Sequence, residues 1–145
     1  MTEPRSSRII TVLCWLLAVS FVLGGGAKFL PVGIGDWPPY SERFVDWGYP
    51  SWFRFLVGGI ELVAAVLLVM PRFRLVAAGL LLPVLYGAVV THIINSDPVG
   101  DSIAAPVVLV LVAIIAWVSA PWDWRRGMGS VSASPRARGA LKGPG

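Results

Sequence analysis

Charge is scarce in this sequence. Of its 145 residues, 14% are Asp, Glu, Lys or Arg and 56% are hydrophobic. Soluble domains carry about a quarter charged residues, so this chain is short of the groups that keep a globular surface wet. Cysteine is scarcer still. Cys14 stands alone, which excludes an intramolecular disulfide, a CxxC redox pair and Cys/His zinc spacing. There is one histidine, His92. No P-loop, GxSxG, HExxH or haem-type CxxCH occurs, and no repeat of fixed period is visible. The enzyme classes that rest on those motifs are excluded.

What the sequence has instead is long apolar runs. Crossing the hydrocarbon core of a bilayer takes roughly 20 apolar residues as a helix. Four stretches approach that length, with spans expected at about 9–29, 52–70, 74–95 and 102–122. Mean hydropathy over the chain is +0.74. The expected fold class is an all-α membrane protein: a four-transmembrane-helix bundle with N- and C-termini cytoplasmic. The first run, preceded by Arg5 and Arg8 and closed by Gly24, Gly25, Gly26 and Ala27, also has the outline of a cleaved signal peptide. It is longer than a usual signal core, and small residues also let membrane helices approach closely. A retained span is therefore expected.

The net charge of +4 does not point to nucleic acid, because the basic residues hug the ends of apolar runs. Arg5, Arg8, Arg72, Arg74, Arg125, Arg126, Arg136, Arg138 and Lys142 fall on three segments that share one side. The other side has Lys28, Arg43 and Arg54, diluted by Asp36, Glu42, Asp46, Asp97 and Asp101. Nine basic residues against three put the first set in the cytoplasm by the positive-inside rule. Trp122 and Trp124 fit the cytoplasmic interface. Trp37, Tyr40, Trp47, Tyr49 and Trp52 crowd the first outer connection, 31–51, which is expected to lie on the outer surface and partly cap the bundle. Residues 1–8 form a cytoplasmic N-terminal tail, 9–124 the transmembrane domain, and 125–145 a basic cytoplasmic tail too rich in Gly, Ser, Pro and Arg to fold.

Polar groups inside the spans need a reason, since a charge at mid-membrane costs about 2.5–3.5 kcal/mol on insertion scales. Glu61 is such a charge. Arg54, Gly58, Glu61 and Ala65 share a helical face, small and polar, which should point into the bundle. Lys28 ends the first run above Gly24 and Ser20, and His92 ends the third. Lys28, Arg54, Glu61 and His92 thus form a candidate intramembrane cluster in the outer half. The plain readings are snorkelling for Lys28 and Arg54, a structural ion pair for Glu61, and a loop hydrogen bond for His92. The sharper reading is a polar pocket that binds a headgroup or moves protons. Tyr86 is turned away from His92. Pro83 and Pro106 loosen their helices without marking a site. No metal site is visible.

Several short motifs carry a family resemblance. They are Lys28-Phe29 after a Gly-rich helix end, Trp47-Gly48-Tyr49-Pro50, Gly58-Gly59-Ile60-Glu61-Leu62, a short basic turn, and Gly87-Ala88-Val89-Val90-Thr91-His92. In this order the chain resembles the DoxX-like family of small bacterial four-helix membrane proteins. The resemblance implies a multi-pass protein of the cell membrane, a subunit or accessory of a quinone- or thiol-linked redox system, with Lys28, Glu61 and His92 as the matching polar residues. No cofactor motif is identifiable, and quinone is implied by the resemblance alone. The lipid bilayer, an oxidoreductase partner and a second copy of the chain are the expected partners. An assembly or anchoring factor is the alternative, and a small-solute or proton carrier a further one.

Overall fold

The computed structural model describes residues 5–33 and 38–120. Among them the chain is helical, without strands. The helices are α1 (Arg5–Ala27), α2 (Tyr40–Asp46), α3 (Phe53–Val69), α4 (Arg74–Ile94), α5 (Val99–Ser102) and α6 (Ala104–Ser119), with a 3₁₀ turn at Pro71–Phe73. Residues 1–4 of the expected N-terminal tail, the C-terminal tail with Trp122 and Trp124, and the loop residues Asp36 and Trp37 lie outside the described residues, whereas 5–8, expected in the tail, are the first residues of α1.

Among the described residues, three segments are long and apolar enough to cross a membrane: Arg8–Ala27, Pro71–Ile94 and Val99–Ser119, with mean hydropathies of 2.2, 2.0 and 2.5. The last joins α5 and α6. The remaining expected span, α3, has 17 residues, about 25 Å of helix at 1.5 Å per residue. It is thus shorter than a typical hydrocarbon core, and it carries Arg54 and Glu61.

The four long helices pack in chain order. α1 lies on α3, α3 on α4 and α4 on α6, whereas α6 barely meets α1. The tight connection after α3 enforces part of this. Met70 is extended, as a residue before proline prefers, and Pro71 starts the 3₁₀ turn, where its missing N–H costs nothing. α4 follows at once, so α3 and α4 must be antiparallel neighbours. The core holds Cys14, Leu17, Ala18, Phe21, Ala64, Ala65, Leu68, Ala77, Ala78, Leu81, Leu85, Val112 and Ile115. Alanines on α3 and α4 allow the close backbone approach that small residues give membrane helices. Large apolar side chains such as Leu16, Leu23, Val66, Val110 and Trp117 face outward, the reverse of a soluble protein's distribution.

The described part of the 31–51 connection holds a short helix, α2. α2 buries Phe44, whose ring meets those of Tyr40, Trp47, Tyr49 and Phe53 at centroid distances of 5.6–6.4 Å. α2 stops in a Schellman turn: Tyr49 N–H donates to Phe44 O at 2.8 Å and Gly48 N–H to Val45 O at 2.9 Å. Gly48 has φ +82°, where a side chain would be strained.

The tightest approach is between α1 and α3. A Cβ on Gly58 would lie 2.8 Å from Gly25 O and 2.9 Å from the Phe29 ring. A Cβ on Gly25 would lie 3.1 Å from both Gly58 O and Glu61 Cβ. Gly59, one residue away, faces open space. We expect Gly58→Val to destabilise the folded protein by about 1–3 kcal/mol through overpacking, while Gly59→Ala is neutral or better. Thermal unfolding in one detergent, read by circular dichroism, checks the contrast.

Candidate functional site

The glycine crossing sets the position of the buried charges. Helix side chains tilt toward the N-terminus of their own helix. Lys28, in the turn directly after α1, follows the same tilt and reaches back over the helix end to Gly24 O and into the bundle. Gly58 leaves room for the Lys28 stem, whose Cβ would be 3.2 Å from a Cβ there, and Gly25 leaves room for Glu61. Each charged residue thus lies across from the other helix's glycine, which also fixes α1 and α3 as antiparallel. The result is an ion pair of 2.6 Å between Lys28 Nζ and Glu61 Oε2, with the residues only 8% and 7% exposed. Lys28 Nζ also donates to Gly24 O at 3.3 Å and sits 4.8 Å from the centre of the Tyr40 ring. An ammonium has three donors and no acceptor. Here its three directions meet a carboxylate, a carbonyl and a ring face. Inward reach, the requirement for pairing at this depth, is met by Lys28.

Arg54 does a different job. Its Nη1 donates to Lys28 O at 3.0 Å and Leu30 O at 3.1 Å. These carbonyls belong to the turn that follows α1, whose own last carbonyls accept from the Lys28, Phe29 and Leu30 N–H groups; a cation beside that end also complements the helix dipole. The guanidinium lies over Phe55, 4.3 Å from its centroid, and Phe55 meets Phe29 at 5.4 Å. Arg54 Nε is buried without a partner. Arg54 therefore fixes the α1 terminus beside the pair and is not itself paired with Glu61.

His92 belongs to a second cluster. Its Nδ1 is 2.6 Å from Asp97 Oδ2, and the same oxygen accepts from Trp47 Nε1 at 3.1 Å. The Trp47 and His92 rings meet edge to face at 5.3 Å. Arg43 Nη2 pairs with Asp101 at 3.1 Å. These contacts tie α2 to the segment between α4 and α6. Beside them lies a cleft of about 520 Å³ lined by Pro38, Arg43, Asp46, Trp47, Asn95, Asp97 and Asp101. The four residues grouped from sequence thus divide. Lys28 and Glu61 touch, Arg54 holds the turn next to them, and His92 turns to Asp97.

Three polar groups escaped the sequence reading. Asp97 reaches His92 because α4 also ends in a Schellman turn, with Asp97 N–H on His92 O at 3.1 Å and Ser96 N–H on Ile93 O at 3.2 Å. Ser96 occupies the left-handed position at φ 53°. The run Asn95-Ser96-Asp97-Pro98 was the available signal. Thr91 is buried and meets Tyr49 Oη at 2.8 Å. Arg74, expected in a basic turn at the membrane surface, is only 8% exposed. Its Nε donates to Leu68 O at 3.3 Å and its Nη2 to Thr11 Oγ1 at 3.2 Å, and it contacts the buried Cys14 thiol. It caps one closing carbonyl of α3, Leu68 O, from the first residue of α4. Tyr86 faces outward at 65% exposure, away from both clusters.

Among His, Cys, Asp and Glu of the described residues, no group of three is placed to hold a metal ion. In comparisons with known proteins, the sequence profile of the DoxX-like family matches residues 12–116. No curated protein and no solved structure matches the chain.

Two outcomes follow from this geometry. Lys28→Met or Glu61→Leu alone leaves a buried charge without its partner, a loss of about 3–5 kcal/mol. The double variant Lys28→Met/Glu61→Leu should be far less destabilised than the sum of the two. A double-mutant cycle on thermal unfolding in detergent measures this coupling. Ser96→Gly should add roughly 0.5–1 kcal/mol, by relieving a left-handed serine, in the same assay.

Proposed function

The chain belongs to the DoxX-like family, and from that premise we propose that this membrane protein serves a quinone- or thiol-linked redox system as a membrane subunit or accessory. In this reading it crosses the cell membrane four times, with α3 as the short, polar span and both termini in the cytoplasm. The nine-to-three distribution of basic residues supports the orientation. α3 supports the fourth crossing by packing between α1 and α4, two of the segments long and apolar enough to cross.

The observation that carries the functional reading is the buried Lys28–Glu61 pair. Intramembrane ionisable residues mark functional sites by default, because their insertion cost must be offset. A quinone headgroup presents carbonyl acceptors, and its reduced form presents hydroxyl donors. The Lys28 ammonium matches the first and the Glu61 carboxylate the second, so the donor set fits in kind. The fit requires one existing contact to yield, since all three ammonium directions are engaged. When bound, the quinone would carry the electrons. The chain would orient the headgroup with Lys28 and hold its proton with Glu61. Thiol chemistry would need cysteines from a partner, because Cys14 is fully buried beside Arg74.

The competing reading, an assembly or anchoring factor, draws on the same saturation: the buried Lys28, Glu61 and Arg74 side chains all have partners within the chain. Variants separate the two. Glu61→Gln keeps the shape and most hydrogen bonding. With a redox subunit, protein purified in mild detergent should carry quinone and an oxidoreductase partner. Glu61→Gln should stay folded and retain about tenfold less quinone, as expected for one lost charge-assisted hydrogen bond. Equal quinone retention in both, or none in either, would speak for the anchoring factor. Reporter fusions at Gly145 and within 31–51 test the orientation: a reporter active outside at Gly145 would refute it.

A further inference from the structure

Helix α2 stands over the ion pair. Tyr40, its first residue, supplies the ring that faces Lys28 Nζ. Of the three groups around that ammonium, Glu61 and Gly24 are built into α3 and α1, and their positions are fixed by the glycine crossing. Tyr40 is the one contact on an element outside the long helices. The other attachments of α2 and the turn after it are made elsewhere: Arg43 to Asp101, Trp47 to Asp97 beside His92, and Tyr49 to Thr91. One end of the segment therefore covers the pair, the buried Phe44 ring seats its middle on Phe53 of α3, and polar contacts fasten the rest to α4 and the segment that follows it. Two of those contacts are to carboxylates on the short 97–101 stretch. Polar contacts near water exchange more readily than buried apolar ones, which is how local opening begins.

We propose that α2 is a lid over the Lys28–Glu61 pair, latched at Asp97 and Asp101, and that its release frees the face of the ammonium now covered by Tyr40. The lid supplies what the binding reading lacks, a contact that can yield without breaking the bundle. It rests on that reading for its purpose but not for its geometry. A headgroup entering from the side of α2 would replace the Tyr40 ring on Lys28 while Glu61 and Gly24 O stay in place. Breaking the latch then raises access to the pair without touching either of its members.

The chain makes this measurable, because Lys28 and Lys142 are its only lysines. Full-length protein in detergent is treated with a water-soluble amine-reactive ester, and labelling at Lys28 is followed by peptide mass spectrometry against Lys142 as the dose reference. Wild type should label slowly at Lys28. Asp97→Ala/Asp101→Ala, which removes the contacts to Trp47 and Arg43, and Tyr40→Ala should label at least about tenfold faster, since loss of one charge-assisted contact already supplies about that factor, whereas Tyr40→Phe, which keeps the ring face, should match wild type. Should the latch variant fail to fold, Arg43→Cys/Asp101→Cys in a Cys14→Ala background, bridged by a short bismaleimide, should slow labelling below its unbridged form. Equal Lys28 labelling across the folded variants, or bridging without effect, would overturn the lid. The labelling uses no quinone and no partner, so failure of the redox reading would leave this result interpretable.

Discussion

The structure turns on a close crossing. Gly25 and Gly58 let α1 and α3 approach until a Cβ on Gly58 would strike the opposing backbone. Only then do Lys28 and Glu61 come within 2.6 Å of each other inside the bundle. The dependence runs both ways. Apolar helices in lipid have little hydrophobic drive to associate, so contact must come from packing and polar pairing. The glycines make room for the pair, and the pair gives the two helices a reason to stay in register. Placed two residues away, either charge would face lipid or a methyl group, and the insertion cost would stand uncompensated.

The rest of the bundle extends from that contact. α3 packs against α4 through alanines, and Arg74 closes the far end of α3 by capping Leu68 O. Arg54 holds the turn after α1 at Lys28 O and Leu30 O. Buried or half-buried cations thus satisfy carbonyls at the end of α3 and in the turn just beyond α1. α6 is attached mainly to α4, and its buried residues are few. A graded assembly results, firm at α1–α3–α4 and looser at α6. The polar work is concentrated at the end that carries α2.

Much of this was legible from the residues. Apolar run lengths located the long helices, because hydrocarbon thickness dictates them. The Arg54, Gly58, Glu61 and Ala65 spacing placed Glu61 on an inward face, since helical periodicity is nearly independent of the fold. The pairing of Lys28 with Glu61 was among the expected contacts, but grouping His92 with them was not matched by the structure. His92 and Asp97 meet through a left-handed turn at Ser96, an unusual conformation for serine that a helical projection does not reveal. Arg74 looked like a surface cation because it follows a short basic turn. Its burial depends on which face α4 presents to α1 and α3, a tertiary fact. α2 was hidden within an aromatic, Pro- and Gly-rich stretch whose seven helical residues are held by ring packing rather than by propensity.

The central claim, that the α1–α3 crossing seats Lys28 directly on Glu61, has a direct chemical test. A hydrophobic carbodiimide applied to native membranes activates buried carboxyls and joins them to an amine in contact. With only two lysines in the chain, the product is unambiguous in a peptide mass map. The account predicts an isopeptide bond between Lys28 and Glu61, formed with loss of one water, and its absence when Gly58→Val forces the helices apart. Glu61 carrying the carbodiimide adduct while Lys28 stays a free amine in the wild-type protein would contradict it.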